Sequence, residues 1–176
     1  MAEFETDEEI IHSYKDGNSE KFNLLVERYT KPLYNFTARL SNKSDASDIV
    51  QESFVKAWKN IRRFDETKAS FKTWIFTIAK NTTTDFLRKK KSLLFTDLEK
   101  EIGDSIISFE ENIPDENLLP DDYLQKIQDA EVLNNTLEKL RVDYREVLIL
   151  HYQEEMTFEE IGKILSKPLN TVKSQH

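Results

Sequence analysis

Between Asp45 and Ile61 the residues Ile49, Val50, Ser53, Phe54, Ala57, Trp58 and Ile61 fall one, three and four positions apart. That is the period of a helix with one face turned to a core; a strand cannot use it, because its successive side chains point to opposite faces. The same period runs through Phe22, Leu25, Val26, Tyr29, Leu33, Phe36 and Leu40, where Pro32 is expected to break or kink the helix near Thr30. After a turn expected at Ser41 to Ser44 and a loop from Arg62 to Ala69, it returns in Phe71, Trp74, Ile75, Ile78, Ala79, Phe86 and Leu87, with Ser70 as the cap. Only 3 Gly and 4 Pro punctuate the 176 residues. A sandwich or barrel needs a turn signal roughly every 8 to 12 residues, so the expected fold class is all-α.

The net charge of −8 argues by itself against a nucleic-acid partner. Its distribution argues the other way. Residues 96–125 hold ten acids against Lys100, a net of −9, whereas residues 62–91 hold nine bases and three acids, a net of +6. A basic helical stretch followed by an acidic connector is the pattern of a polyanion binder. Phe64, Phe71, Trp74, Phe76 and Phe86 are interleaved with those bases, and exposed rings beside cations form platforms for single-stranded bases. Trp74 reads as core, while Phe64 and Phe71, flanking the loop, read as the exposed pair. The run Arg88 to Lys91 also suits the C-terminal dipole of a helix ending there.

Gly103, Pro114 and Pro120, together with the acid excess, mark residues 96–123 as a linker between a helical domain over 1–95 and a smaller one over 124–176. About 50 residues is marginal for independent folding. In the smaller domain Leu124, Ile127, Val132, Leu133, Leu137 and Leu140 keep the helical period, and Val147, Leu148 and Leu150 follow Asp143, a candidate cap. Thr157-Phe158-Glu159-Glu160 has the capping-box form. Ile161, Gly162, Ile164 and Leu165, a turn at Ser166 to Leu169 and the polar run from Asn170 to Gln175 follow it. This is the sequence form of a helix-turn-helix, and an ordinary αα-hairpin has the same pattern.

Other functions find no support. There is no cysteine for a disulfide, a thiol nucleophile or a Cys-based zinc site. His12, His151 and His176 are far apart, and no HExxH, P-loop or Gly-rich phosphate cradle is present. The pairs Asp121/Asp122 and Glu159/Glu160 sit in the acidic linker and a helix first turn, where solvation and the dipole explain them. No catalytic residue, metal or cofactor is expected. Met1 to Ile10 carries five acids and no basic region, so it does not read as a signal peptide, and no apolar run approaches the ~20 residues of a membrane span. A soluble, cytoplasmic protein is expected.

The stretch Asp45–Trp58, DASDIVQESFVKAW, resembles the DAEDLVQETFLRAW segment of bacterial extracytoplasmic-function (ECF) RNA polymerase sigma factors of the sigma-70 family. Residues 70–81, SFKTWIFTIAKN, resemble that family's SFRAWLFRIARN, and Asp85–Lys90 its DxLRRR. Residues 156–174, MTFEEIGKILSKPLNTVKS, resemble its LSYEEIAEILGIPVGTVKS. Both regions match in order across a variable linker.

The resemblance implies a sigma factor whose region two and region four helical domains bind core RNA polymerase, recognise and melt promoter DNA and initiate transcription of a specific regulon. Such a protein is not an enzyme, since bond formation belongs to the polymerase. The resemblance assigns docking on the β′ clamp helices to Asp45, Asp48, Ile49, Gln51, Glu52, Phe54, Val55 and Trp58. It assigns the minus-ten element, with one flipped base, to Arg63, Phe64, Lys68, Ser70, Phe71, Lys72, Lys80, Asn81, Thr84, Asp85, Arg88, Lys89 and Lys90. Asn81 and Arg88 have the donors and acceptors for base edges, and the lysines neutralise phosphate. Region four would meet the β flap, and the minus-thirty-five element through Pro168, Asn170, Thr171, Lys173 and Ser174. The acidic linker would mimic nucleic acid in the polymerase channels, and an anti-sigma factor is the expected regulator.

In the family a basic stretch such as RLHRAR follows TVKS, whereas here Gln175 and His176 end the sequence. The last helix is therefore expected to be truncated and its grip on minus-thirty-five DNA weak. The alternative is a stand-alone helix-turn-helix regulator that binds duplex promoter DNA without polymerase. A Mg²⁺-dependent hydrolase built on the acidic linker has no supporting spacing.

Overall fold

The computed structural model describes residues 5–41, 43–96, 132, 133, 136, 137 and 139–176. The linker expected at 96–123 lies outside them apart from Thr96, as do Leu124 and Ile127. In chain order the elements are α1 (Asp7–Lys15), α2 (Lys21–Leu40), α3 (Lys43–Asn60), a 3₁₀ turn (Ile61–Arg63) and α4 (Phe71–Thr96). Then follow α5 (Val142–Leu148), which continues as a π-helical turn (Ile149–Gln153), α6 (Phe158–Leu165) and α7 (Leu169–Gln175). No strand occurs among the described residues, in keeping with the all-α expectation.

Local chemistry sets the helix starts. Thr6 opens α1 with a reciprocal capping box to Glu9. The Ser70 hydroxyl accepts the Thr73 N–H at 3.2 Å at the start of α4. Thr157 and Glu160 form the capping box expected from the sequence, with Glu160 Oε2 accepting the Thr157 N–H at 2.9 Å. Asp143 is not a cap: it lies inside the first turn of α5 and accepts from Lys167 and Arg141 at 3.1 and 3.2 Å.

Two expected boundaries move. α2 runs unbroken through Pro32, because Arg28, whose carbonyl loses its helical donor, lies on the exposed side away from buried Leu25, Tyr29, Leu33 and Phe36. α4 continues past the basic run to Thr96, since neither Gly nor Pro interrupts the chain before Gly103.

α2, α3 and α4 pack as a three-helix bundle with α1 across α2, and α6 lies on α4. Buried residues of the two halves, from Leu33, Phe36, Ala57 and Phe76 to Val147, Leu150, Ile161 and Val172, belong to one apolar cluster. The smaller half, marginal by its length, completes its core against the larger. Phe64 and Phe71, expected to be exposed, are instead buried. The loop folds back so that Phe64 meets Phe71 edge-on at 5.8 Å between centroids and Trp74 at 5.1 Å, while Tyr29 closes on Phe71 from α2.

The turn between α6 and α7 carries strain that can be tested. Ser166 takes the left-handed conformation at φ 54, a region that costs a residue with a Cβ roughly 1–2 kcal/mol. A Cβ on Gly162 would lie 2.9 Å from the Lys167 carbonyl oxygen, a backbone atom that cannot swing aside. In urea denaturation Ser166→Gly should stabilise the chain by about 1 kcal/mol, and Gly162→Val should destabilise it by about 1–3 kcal/mol.

Candidate polymerase and nucleic-acid interface

The outer side of α3 presents Asp48, Gln51, Glu52, Val55 and Trp58, all exposed and spaced three and four apart. Trp58 is 54% exposed. A carboxylate-rich first half thus leads into an apolar second half, a surface suited to a partner with cationic and apolar groups. Glu52 is also paired with Lys56 at 2.9 Å. Ile49 and Phe54, assigned to the same face by resemblance, are buried beneath it, where α3 packs on α2 and α4. Asp45 lies half-buried at the start of α3 and accepts from Lys90 Nζ at 2.7 Å.

Where α3 ends, the 3₁₀ turn and the middle of α4 enclose a cleft of about 420 Å³ lined by Lys56, Asn60, Arg63, Trp74, Ile78, Asn81 and Thr82. Trp74 is held as one wall by Phe64 and Phe71. Lys56 Nζ donates to the Thr82 hydroxyl at 3.1 Å, and Asn60 Nδ2 donates to the Lys56 carbonyl at 2.8 Å. The cleft offers an aromatic face, two carboxamides and two cations, the groups that stack on a base, read its edge and neutralise its phosphate. Arg63 and Asn81 were legible as candidates. Lys56, Asn60, Trp74, Ile78 and Thr82 were not, because the first two belong to another helix and Trp74 is indistinguishable by spacing from a core residue.

The remaining residues assigned to the minus-ten element divide by environment. Asn81, Thr84, Arg88 and Lys89 are exposed along α4, with Arg88 paired to Asp85 at 3.0 Å. Lys68 is exposed in the loop and pairs with Asp65 at 3.1 Å. Ser70 is occupied as a cap, and Phe64 and Phe71 support Trp74 from the core without facing solvent. Lys72 and Lys80 are half-buried beside the smaller half of the chain. There Lys72 Nζ donates to the Glu154 carbonyl at 2.5 Å and lies 3.7 Å from its carboxylate. Burial pushes the Glu154 and Glu146 carboxyls above the ordinary glutamate range, against the pull of Lys72 on the first and of Lys80 and Lys167 on the second. Burial also acts upward on Glu160, but hydrogen bonds from Thr157 and Thr73 outweigh it and hold that carboxyl below its usual range.

In the helix-turn-helix, Val172 is buried and fixes α7 against α6. Pro168, Asn170, Lys173 and Ser174 are exposed and Thr171 is half-buried, so the outward side of α7 is polar with one cation.

Comparison with known proteins gives this architecture its identity. Sigma-70 region 2 matches residues 25–93, and Sigma-70, region 4 matches residues 130–176. The ECF RNA polymerase sigma factor SigW of Bacillus subtilis is 34% identical over 166 residues, covering 94% of this chain and 88% of that protein. Among solved structures, the sigma factor RpoE in complex with the anti-sigma factor NepR from Bartonella quintana is 25% identical with a TM-score of 0.67, covering 89% of each chain. An engineered region 2 of sigmaE in complex with GTAAAA is 34% identical with a TM-score of 0.50, covering 53% of this chain and 98% of that one. A region 2 bundle followed by a region 4 helix-turn-helix defines a sigma factor of the sigma-70 class. The chain belongs to the ECF RNA polymerase sigma factors, which bind core polymerase and promoter DNA and start transcription. No helix among the described residues is long and apolar enough to cross a membrane.

The two adjacent lysines of the basic run should separate in mutagenesis. Lys90→Ala leaves the half-buried Asp45 carboxylate unpaired and should cost about 1 kcal/mol of stability in a urea titration. Lys89→Ala, at an exposed site, should change stability by less than ~0.5 kcal/mol.

Proposed function

We propose that the outer stripe of α3, Asp48, Gln51, Glu52, Val55 and Trp58, docks on the clamp helices of the polymerase β′ subunit, with Asp45 holding the start of that helix to α4 through Lys90. The cleft beside Trp74 takes a base extruded from the non-template strand of the minus-ten element. Asn60 and Asn81 address the base edge, while Arg63, Lys68, Arg88 and Lys89 follow the phosphates. The observation that carries this reading is the cleft itself: an indole and two carboxamides in one lining at the edge of the only strongly basic segment of the sequence. The engineered region 2 of sigmaE, similar to this part of the chain, is in complex with GTAAAA, which supports placing the single strand here.

The outward side of α7, with Pro168, Asn170, Thr171, Lys173 and Ser174, faces the minus-thirty-five major groove, and the region 4 half also meets the β flap. The chain supplies no bond-making chemistry; it positions and opens DNA for the polymerase. An anti-sigma factor holds it inactive in the cytoplasm, a reading supported by the RpoE relative in complex with NepR. The division into domains 1–95 and 124–176 with an acidic linker completes the assignment. A stand-alone regulator is disfavoured because it leaves the α3 stripe and the cleft without a role.

Asp48→Lys should weaken binding to labelled core polymerase by roughly 1–3 kcal/mol in an equilibrium titration; unchanged affinity would remove the docking face. On a panel of promoters, Asn81→Ala should change preference at one position by ~1–3 kcal/mol. Lys89→Ala should weaken all promoters alike and lower the salt slope by about one. Identical uniform losses would contradict the division between base reading and phosphate contact.

A further inference from the structure

The family match on the larger half begins at residue 25, so α1 lies ahead of it. α1 is nevertheless fixed to the bundle: Ile10 and Ile11 are buried, Lys21 Nζ donates to Glu5 at 2.6 Å, and Arg28 and Tyr29 of α2 both hold Asp7. Its last turn sends two side chains to the loop between the 3₁₀ turn and α4. His12 Nε2 meets the Glu66 carboxylate at 3.2 Å, and Lys15 Nζ donates to the Phe64 carbonyl at 3.0 Å. The first contact is exposed on both sides and holds little. The second is partly buried and charge-assisted, the stronger kind of hydrogen bond.

Phe64 closes the 3₁₀ turn through its N–H on the Ile61 carbonyl and then continues in extended backbone at φ −63 and ψ 133. Its own carbonyl is thereby turned out of the helical ladder, where the Lys15 ammonium supplies the donor. The same ammonium lies 5.9 Å from the centre of the Phe64 ring, within reach of a cation–π attraction. One cation thus holds both the backbone and the ring of Phe64. That buried ring backs Trp74 at 5.1 Å, and Arg63, the residue before it, lines the cleft together with Trp74. Lys15 is not one of the described residues that line it.

We propose that Lys15 is a positioning residue for the base cleft: from α1, through Phe64, it fixes the Trp74 wall and the place of Arg63, so that the cleft is already shaped when a base arrives. This rests on the assignment of the cleft to a base of the minus-ten strand. A binding constellation works only when its members are held within about 0.5 Å of the productive geometry by the groups behind them. Without the ammonium, Phe64 loses the tie on its carbonyl and on its ring, and Trp74 loses the fixed backing that its stacking face depends on. The apolar cluster that includes Ile10 and Ile11 is untouched by that change.

Holoenzyme reconstituted from the full chain and core polymerase tests this, with a fluorescein-labelled single strand carrying GTAAAA as the probe, anisotropy as the readout and core polymerase alone as the blank. Each base of the strand is replaced in turn by an abasic residue. With the parent chain one replacement should weaken binding more than the others, which marks the base in the cleft. Lys15→Met keeps the apolar stem and loses the donor; it should weaken binding of the intact strand about five- to tenfold, the low end of couplings between sites. On the strand abasic at the marked position it should bind as the parent does, its salt slope should be unchanged, and Lys15→Arg should restore most of the lost affinity. 5-Fluorotryptophan labelling gives one resonance each for Trp58 and Trp74, and Lys15→Met should move the second and leave the first in place. Equal losses on intact and abasic strands, with a salt slope lower by about 0.7, would make Lys15 a phosphate contact and overturn the positioning role. Parent-like affinity with an unmoved Trp74 resonance would overturn it as well, leaving Lys15 a staple of the fold. A parent indifferent to every abasic replacement would remove the cleft from the minus-ten strand and the role of Lys15 with it.

Discussion

A helix of 26 residues with no glycine or proline has more surface than one bundle can cover, and α4 is that helix. Phe71, Ile75, Phe76 and Ala79 face the bundle, yet Thr73, Thr82 and Thr83 are buried as well. Each threonine is satisfied: Thr82 receives Lys56 from α3, Thr83 bonds back to the Ala79 carbonyl, and Thr73 reaches Glu160 of the other half. Covering α4 on three sides leaves Asn81, Thr84, Arg88 and Lys89 as its exposed polar and basic strip. The bundle, the position of the helix-turn-helix and the exposed basic strip all follow from how this one helix is shared.

The sharing also sorts the charges. A lysine on α4 has three fates: paired within region 2, as Lys90 is with Asp45; paired across the halves, as Lys72 is with Glu154; or free in water, as Lys89 is. Only the last costs nothing to recruit for phosphate, since the others must break a hydrogen bond in a partly desolvated setting. The acidic character of the chain as a whole is thus no obstacle to a nucleic-acid role. Part of it already serves as the counter-charge of the basic helix.

Periodicity made the helices legible, because an apolar stripe at 3.6 residues per turn has few other interpretations. Capping chemistry fixed Ser70 and Thr157 as starts for the same local reason, and Asp143 failed as a cap because Lys167 and Arg141, distant or flanking partners, claim its carboxylate. Pro32 did not break α2, since the bond it removes lies on the solvent side of an already well-packed helix. The motif resemblance led to the right family through Asp45–Trp58 and residues 70–81. What no stretch of sequence contained was the pairing between elements: Phe64 and Phe71 folding under Trp74, Asn60 and Lys56 arriving from α3, and Glu154 reaching Lys72 across 82 positions. Those contacts depend on the packing angle of helices, which composition and period do not encode.

The account turns on Trp74 and its cleft being where the promoter's non-template strand is held. Photo-cross-linking tests it most directly: holoenzyme assembled from this chain and core polymerase is bound to promoter DNA carrying single 5-bromodeoxyuridine substitutions through the minus-ten element, and the attached peptide is mapped by mass spectrometry. Attachment within residues 60–82 of this chain, at one position and only when polymerase is present, is the predicted result. Attachment to the polymerase alone, or on this chain only to α7, would contradict the assignment of the cleft.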